Sequence, residues 1–189
     1  MIKKDIYTIP NILSFYRIIA FPFVLWLIFR KQESLFSVFL IISLITDVLD
    51  GLIARCFNMQ TEFGARLDSI ADIGTYILAI MGVFVFKSAD FAPHIYSFYL
   101  FIFLLLSCFI LSLLKFGRFP SLHLYSWKIG GYIQGIFFFI LFMFGFSTIF
   151  YYFMIVWGIL TFCEHIVIQL LIKEMKTNAK GVYWVLKQR

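Results

Sequence analysis

The chain has 189 residues, 62% of them hydrophobic and 14% charged, with 26 phenylalanines and a formal net charge of +6. Soluble domains are roughly 45–50% apolar and about 25% charged, so composition excludes a soluble enzyme and leaves no room for a separate soluble domain. The basic residues lie between apolar runs rather than in one patch, which argues against nucleic acid as a partner and marks them as topology signals.

In chain order, Lys3 and Lys4 come first, and no small-residue cleavage site follows them, so the first apolar stretch is expected to be a span and not a cleaved signal. A bilayer core needs roughly 20 apolar residues per helix. Six stretches qualify, at residues 12–29, 35–53, 67–86, 95–116, 129–146 and 149–172. The last two form one block about twice too long for a single crossing, and Gly145, Ser147 and Thr148 supply the break. With no repeat or linker in view, residues 1–189 read as a single membrane domain: all-α, a six-transmembrane-helix bundle. The scattered Cys56, Cys108 and Cys163 suggest small apolar fillers rather than a disulfide or zinc framework.

Six spans put both termini on one side. Lys3, Lys4, Arg17, Arg55, Arg66, Lys115, Arg118, Lys128, Lys173, Lys176, Lys180, Lys187 and Arg189 fall on that side, against Arg30, Lys31 and Lys87 on the other. A bias of thirteen to three places both termini in the cytosol and the chain in the inner, cytoplasmic membrane.

Asp47, Asp50, Asp68 and Asp72 fall inside or at the ends of spans, where a carboxylate costs a few kcal/mol. Asp47 and Asp50 are three residues apart and Asp68 and Asp72 four apart, so each pair shares a helix face. The second and third spans form an antiparallel hairpin through a short cytosolic turn, which brings both pairs to a similar depth. Asp47 lies about 12 Å below Arg55 at 1.5 Å per residue, within reach of water and of a nucleotide head group through a polar cavity open to the cytosol. Facing carboxylates repel and need cations to stay ionised. Hard ions such as Mg²⁺, Mn²⁺ or Ca²⁺ take oxygen ligands, and two of them about 4 Å apart can clamp a phosphoryl group, so the cluster points to a di-metal phosphoryl-transfer site. Gly51, Ala54 and Gly64 leave space on the carboxylate face, although small residues also serve close helix packing. A cation transporter is the rival reading. Against it, the four acids gather near one face and Glu164 is the only other carboxylate within a span. A passive anchor leaves the acids without explanation.

The pattern Asp47, two residues, Asp50-Gly51, two residues, Ala54-Arg55, eight residues, Gly64, three residues, Asp68, three residues, Asp72 resembles the signature of the class I CDP-alcohol phosphatidyltransferases, with eight fixed positions over 26 residues. Residues 9–14, with Asn11, and the following Arg17 resemble the family's entry to its first span. The resemblance implies transfer of a phosphatidyl group from CDP-diacylglycerol to the hydroxyl of a small polar alcohol, with release of CMP, in phospholipid biosynthesis. It implies two divalent cations, Mg²⁺ or Mn²⁺, on Asp47, Asp50 and Asp68, with Asp72 both touching a metal and acting as base toward the acceptor. Gly51, Ala54 and Arg55, with Asn11 and Arg17, would bind the CDP moiety. Membrane lipids and a second copy of the chain, as a homodimer, are the implied partners. Glycerol 3-phosphate is the expected acceptor, with a second phosphatidylglycerol (giving cardiolipin), serine and an inositol phosphate as alternatives.

Gly64, Lys115, Arg118, His123 and Lys128 are candidates for an acceptor pocket, because a phosphorylated alcohol needs cations; the basic four also fit positive-inside topology. For Arg17, snorkelling to the interface competes with phosphate contact. Glu164 and His165 are read as a helix-packing hydrogen bond ahead of a functional pair. Trp127, Trp157 and Trp184 are read as interface anchors. The tail with Lys173, Lys176 and Lys187 is read as a segment on the anionic inner surface.

Overall fold

The computed structural model describes residues 8–118, 124–172 and 181–187. The described residues are helical with no strand. In order they form α1 (Ile9–Phe29), α2 (Glu33–Cys56), α3 (Glu62–Phe86), the short α4 (Ser88–Phe91), a 3₁₀ turn (Ala92–His94), α5 (Ile95–Phe116), α6 (Tyr125–Met143), α7 (Thr148–Leu171) and α8 (Val182–Lys187). Six of these stretches are long and apolar enough to cross a membrane, α4 and the 3₁₀ turn continuing into α5 as one of them. This is the six-span, all-α plan expected from the sequence. At 1.5 Å per residue, helices of 21–25 residues such as α1 to α3 reach roughly 31–37 Å, enough for the hydrocarbon core.

The chain divides into two compact units between Asp90 and Phe91. In the first, α1 lies against both α2 and α3. Val24, Leu27 and Ile28 of α1, Phe36 and Leu40 of α2, and Leu78, Ala79 and Val83 of α3 are buried there. α1 and α3 start ahead of their apolar segments, each behind a capping threonine. Thr8 Oγ1 accepts from the Asn11 amide at 3.4 Å, and Thr61 Oγ1 accepts from the Gly64 amide at 2.9 Å, each satisfying one orphan donor of a first turn. α2 closes with the Met59 amide on the Ala54 carbonyl, and Asn58 takes the left-handed conformation (φ 51°) that Asn tolerates well. The far end of the α2–α3 hairpin is tied by Lys87 Nζ and Glu33 Oε1 at 2.7 Å, as antiparallel neighbours require.

In the second unit, α7 packs against α5, α6 and α8. Phe91, Phe137 and Tyr151 form an aromatic core at one end, with ring centroids 5.4–6.3 Å apart. α5 and α7 approach at Gly158, where a Cβ would collide with the Phe101 ring. The expected break between the last two spans is real. Gly145 has φ 102°, a backbone few other residues adopt, and the chain re-enters helix at Thr148. α6 begins four residues earlier than expected, at Tyr125, and ends at Met143 rather than 146, because this turn interrupts it. In α8, Val182 and Val185 pack against buried Leu124, Ile168 and Ile172. Lys173 and Lys176 lie outside the described residues.

Candidate metal centre and its cavity

The four aspartates are brought together within the first unit, and Arg17 of α1 is the residue that joins them. Its Nη1 donates to Asp47 Oδ1 at 2.6 Å and to Asp72 Oδ1 at 2.8 Å. Its Nη2 donates to Asp50 Oδ2 at 2.6 Å and to Asp68 Oδ1 at 2.7 Å. The Arg17 side chain is 1% exposed, so it does not snorkel; its guanidinium is held inside the unit by carboxylates of two helices, α2 and α3. Ser14, one turn earlier on α1, adds a bond from Oγ to Asp50 Oδ2 at 3.1 Å. The spacing of the acids explains the convergence: Asp47 and Asp50 lie on one face of α2, Asp68 and Asp72 on one face of α3, and α1 packs across both helices.

The four carboxylates are not equivalent. Asp50 is buried, with its side chain 4% exposed, whereas Asp72 is the most open at 50%. Asp47, Asp50 and Asp68 each offer an oxygen within 4.8 Å of the others. Asp72 joins this trio through Arg17 Nη1. With all four carboxylates ionised, the formal charge beside the single guanidinium would be −3 in a partly desolvated pocket, which a divalent cation would offset. All of these side-chain donor atoms are carboxylate oxygens, and the site already draws in a buried cation. That fits a hard divalent ion and not a soft one.

Beside the trio lies a cavity of about 290 Å³, bounded by α1, α2, α3 and the turn between α2 and α3. Asp50 and Asp68 form part of its wall, together with Asn11, Gly51, Ala54, Arg55 and Gly64. Five of the residues assigned from sequence to the CDP side or the acceptor side therefore line one space. The two glycines differ. A Cβ on Gly51 meets only Arg55 Nη2, at an ordinary 3.7 Å, whereas a Cβ on Gly64 collides with Asn11 Oδ1 and lies 2.9 Å from Thr61 Oγ1. Gly64→Ala is thus expected to cost about 1–3 kcal/mol through overpacking, seen as a lower thermal midpoint. Gly51→Ala should leave that midpoint in place and raise the KM for a ligand filling the cavity. Equal loss of stability in both variants would remove the distinction. Arg55 is exposed, and its Nε donates to the Gly51 carbonyl at 2.9 Å, which folds the guanidinium back over Gly51.

A family profile described as CDP-alcohol phosphatidyltransferase matches residues 7–168, most of the chain, including all four aspartates and Arg17. The chain belongs to the CDP-alcohol phosphatidyltransferase family. It is 39% identical over 69 residues to a CDP-diacylglycerol–glycerol-3-phosphate 3-phosphatidyltransferase of Salmonella typhimurium, covering 35% of this chain and 38% of that protein. The enzyme of the same name from Cereibacter sphaeroides is 38% identical over 79 residues, 40% of this chain and 36% of the relative. A cardiolipin synthase (CMP-forming) of Streptomyces coelicolor is 39% identical over 80 residues, 39% of this chain and 37% of the relative. Each match spans less than two fifths of the relative's length. No solved structure matches the chain.

The other polar positions of this family member lie in the second unit. Lys115 Nζ donates to the Gln169 and Leu170 carbonyls at 2.8 and 3.0 Å, capping the C-terminal end of α7 where a cation is favoured. Arg118 follows the left-handed Gly117 (φ 66°), and its carbonyl accepts from Ser112 Oγ at 2.8 Å. Lys128 is exposed in the first turn of α6, and His123 lies outside the described residues. Glu164 is a packing residue. Its Oε2 accepts from Ser126 Oγ at 2.5 Å and its Oε1 from the Val182 amide at 3.1 Å, which ties the starts of α6 and α8 to α7. His165 is buried against the Trp127 ring, centroids 4.8 Å apart. Trp157 donates to the Ser126 carbonyl at 3.2 Å, so both tryptophans are half-buried packing residues. What the sequence missed is the Arg17 hub; the arginine was visible, but its partners on two other helices were not.

Proposed function

We propose that the chain transfers a phosphatidyl group from CDP-diacylglycerol to the hydroxyl of a small polar alcohol, with glycerol 3-phosphate as acceptor and CMP as leaving group. The observation that carries this reading is the aspartate quartet, gathered by Arg17 at 2.6–2.8 Å beside a cavity of nucleotide-compatible size. Family membership and the names of the similar relatives support it. The similar cardiolipin synthase makes phosphatidylglycerol the second acceptor to test.

In this reading Asp47, Asp50 and Asp68 hold two divalent cations, Mg²⁺ or Mn²⁺, with Asp72 as a further ligand. Bound there, the cations would neutralise charge on the diphosphate and on departing CMP. The chain's own residues do the rest. Gly51 and Ala54 leave room for the cytidine and diphosphate, Arg55 and Asn11 border that room, and Arg17 acts on the donor side through the carboxylates it holds. Asp72, the most open of the four, accepts the acceptor's hydroxyl proton as the new P–O bond forms and the bond to CMP breaks. Lys115, Arg118, His123 and Lys128 are proposed as acceptor-phosphate cations on charge alone, Lys115 also serving its helix cap. The family match runs through both compact units, which supports one catalytic domain over 1–189. A homodimer is proposed on the family resemblance alone.

The direct test is CMP release by the purified full chain given CDP-diacylglycerol and a panel of glycerol 3-phosphate, phosphatidylglycerol, serine and an inositol phosphate. Turnover is expected with glycerol 3-phosphate. Absence of CMP release with every acceptor would overturn the proposal.

We also propose that the α2–α3 turn and both termini face the cytosol, from the charge bias, which is still twelve to three once the buried Arg17 is left out. Glu62→Cys lies at that turn and Gln32→Cys at the opposite end of α2, and both positions are exposed or half-exposed. In a background with the native cysteines replaced by alanine, an impermeant maleimide should label Gln32→Cys in intact cells. Glu62→Cys should react only after the membrane is opened. The reverse pattern refutes this orientation.

A further inference from the structure

Arg17 has no role in positive-inside topology once its side chain is placed. It is 1% exposed, with Nη1 and Nη2 each holding two carboxylates. Its Nε is buried without a hydrogen-bond partner among the described residues. Burying a guanidinium is costly unless opposite charges and hydrogen bonds offset the lost hydration. Here the compensation comes from α2 and α3 together, so the same contacts that hold Arg17 also clamp these helices to α1. Arg17 occupies one oxygen of each aspartate, including the trio with donor atoms within 4.8 Å of one another. A divalent cation entering that trio meets a fixed positive charge already engaged with its ligands. The two cations would share one set of carboxylates.

We propose that Arg17 is the internal counter-ion of the metal centre. It keeps the aspartate quartet assembled when no metal is bound, and it yields carboxylate oxygens when metal enters, so it sets the metal concentration at which the site fills. Arg17 is then a positioning residue acting through the carboxylates. The inference rests on the metal-centre reading above, but it concerns affinity and stability rather than turnover.

The signs distinguish this from a purely structural arginine. Loss of a structural clamp weakens both the fold and metal binding. Loss of a competing cation weakens the metal-free fold while tightening metal binding, because the repulsion between like charges goes with it. The test uses the full chain in detergent, with Mn²⁺ titrated and free Mn²⁺ read by electron paramagnetic resonance, and with thermal unfolding followed in EDTA and in saturating Mn²⁺. Arg17→Gln should melt below the wild type in EDTA, bind Mn²⁺ about tenfold more tightly, and show a larger Mn²⁺-induced rise in Tm. Arg17→Lys keeps the charge on one ammonium that cannot fork between four carboxylates. It should shift Mn²⁺ affinity in the same direction by a smaller factor, and it decides the matter if Arg17→Gln does not fold. Mn²⁺ affinity that is unchanged or weaker in the folded variant overturns the inference alone, since wild-type binding keeps the metal centre. A wild type that binds no Mn²⁺ overturns both.

Discussion

Asp72→Asn is expected to lower phosphatidyl transfer by about two to four orders of magnitude, roughly the reach of general base catalysis, while the protein stays folded. Asparagine keeps the size of the side chain and an oxygen for the bond from Arg17 Nη1, so the quartet's geometry survives. What disappears is the proton acceptor. The position supports this role for Asp72 rather than for its neighbours. Asp50 is buried and accepts from both Arg17 and Ser14, so an acceptor hydroxyl has poor access to it. Asp72 is half-exposed and lies outside the tight trio. Asp50→Asn should accordingly act on metal and donor binding, and part of its loss should return at high Mg²⁺. Asp72→Asn should not be rescued that way. The measurement is CMP release against Mg²⁺ concentration for both variants. The same rescue curve for both would make Asp72 one more ligand, and the base would lie elsewhere.

The span plan was legible because a bilayer imposes a length on apolar runs that no soluble core imposes, and the aspartates were legible because a carboxylate in such a run needs a cause. Their spacing of three and four residues is enough by itself to place each pair on one helix face. The limits came where tertiary contacts decide. Arg17 in an apolar run reads equally as a snorkelling cation or a phosphate ligand, and only the packing of α1 across α2 and α3 puts its guanidinium among four carboxylates. Lys115 reads as a topology signal, yet it caps α7 across 54 residues of sequence. Local signals for the longer helices were present in Thr8 and Thr61, the capping residues just ahead of the apolar runs, and they account for α1 and α3 starting outside the expected bounds. The helical stretch before α5 had a weaker signal, a proline at the second position of the 3₁₀ turn, which helix starts and loops share.

Removal of divalent metal should abolish phosphatidyl transfer without unfolding the chain, and that combination is more informative than loss of activity alone. Four carboxylates within reach of one guanidinium leave an excess negative charge that a bound diphosphate would only increase. With EDTA present, a donor carrying that diphosphate would be repelled from the cavity wall formed by Asp50 and Asp68, so turnover should fall to background. Added Mg²⁺ or Mn²⁺ should restore it. The fold should persist because Arg17 still joins α1 to the carboxylates of α2 and α3, and because the buried apolar contacts of the first unit do not depend on metal. CMP release and a thermal melt on the same EDTA-treated sample check both halves. Turnover unchanged after thorough chelation would remove the metal centre from the mechanism. A sample that unfolds in EDTA would show instead that the aspartate quartet cannot hold together on Arg17, and that the metal is part of the fold.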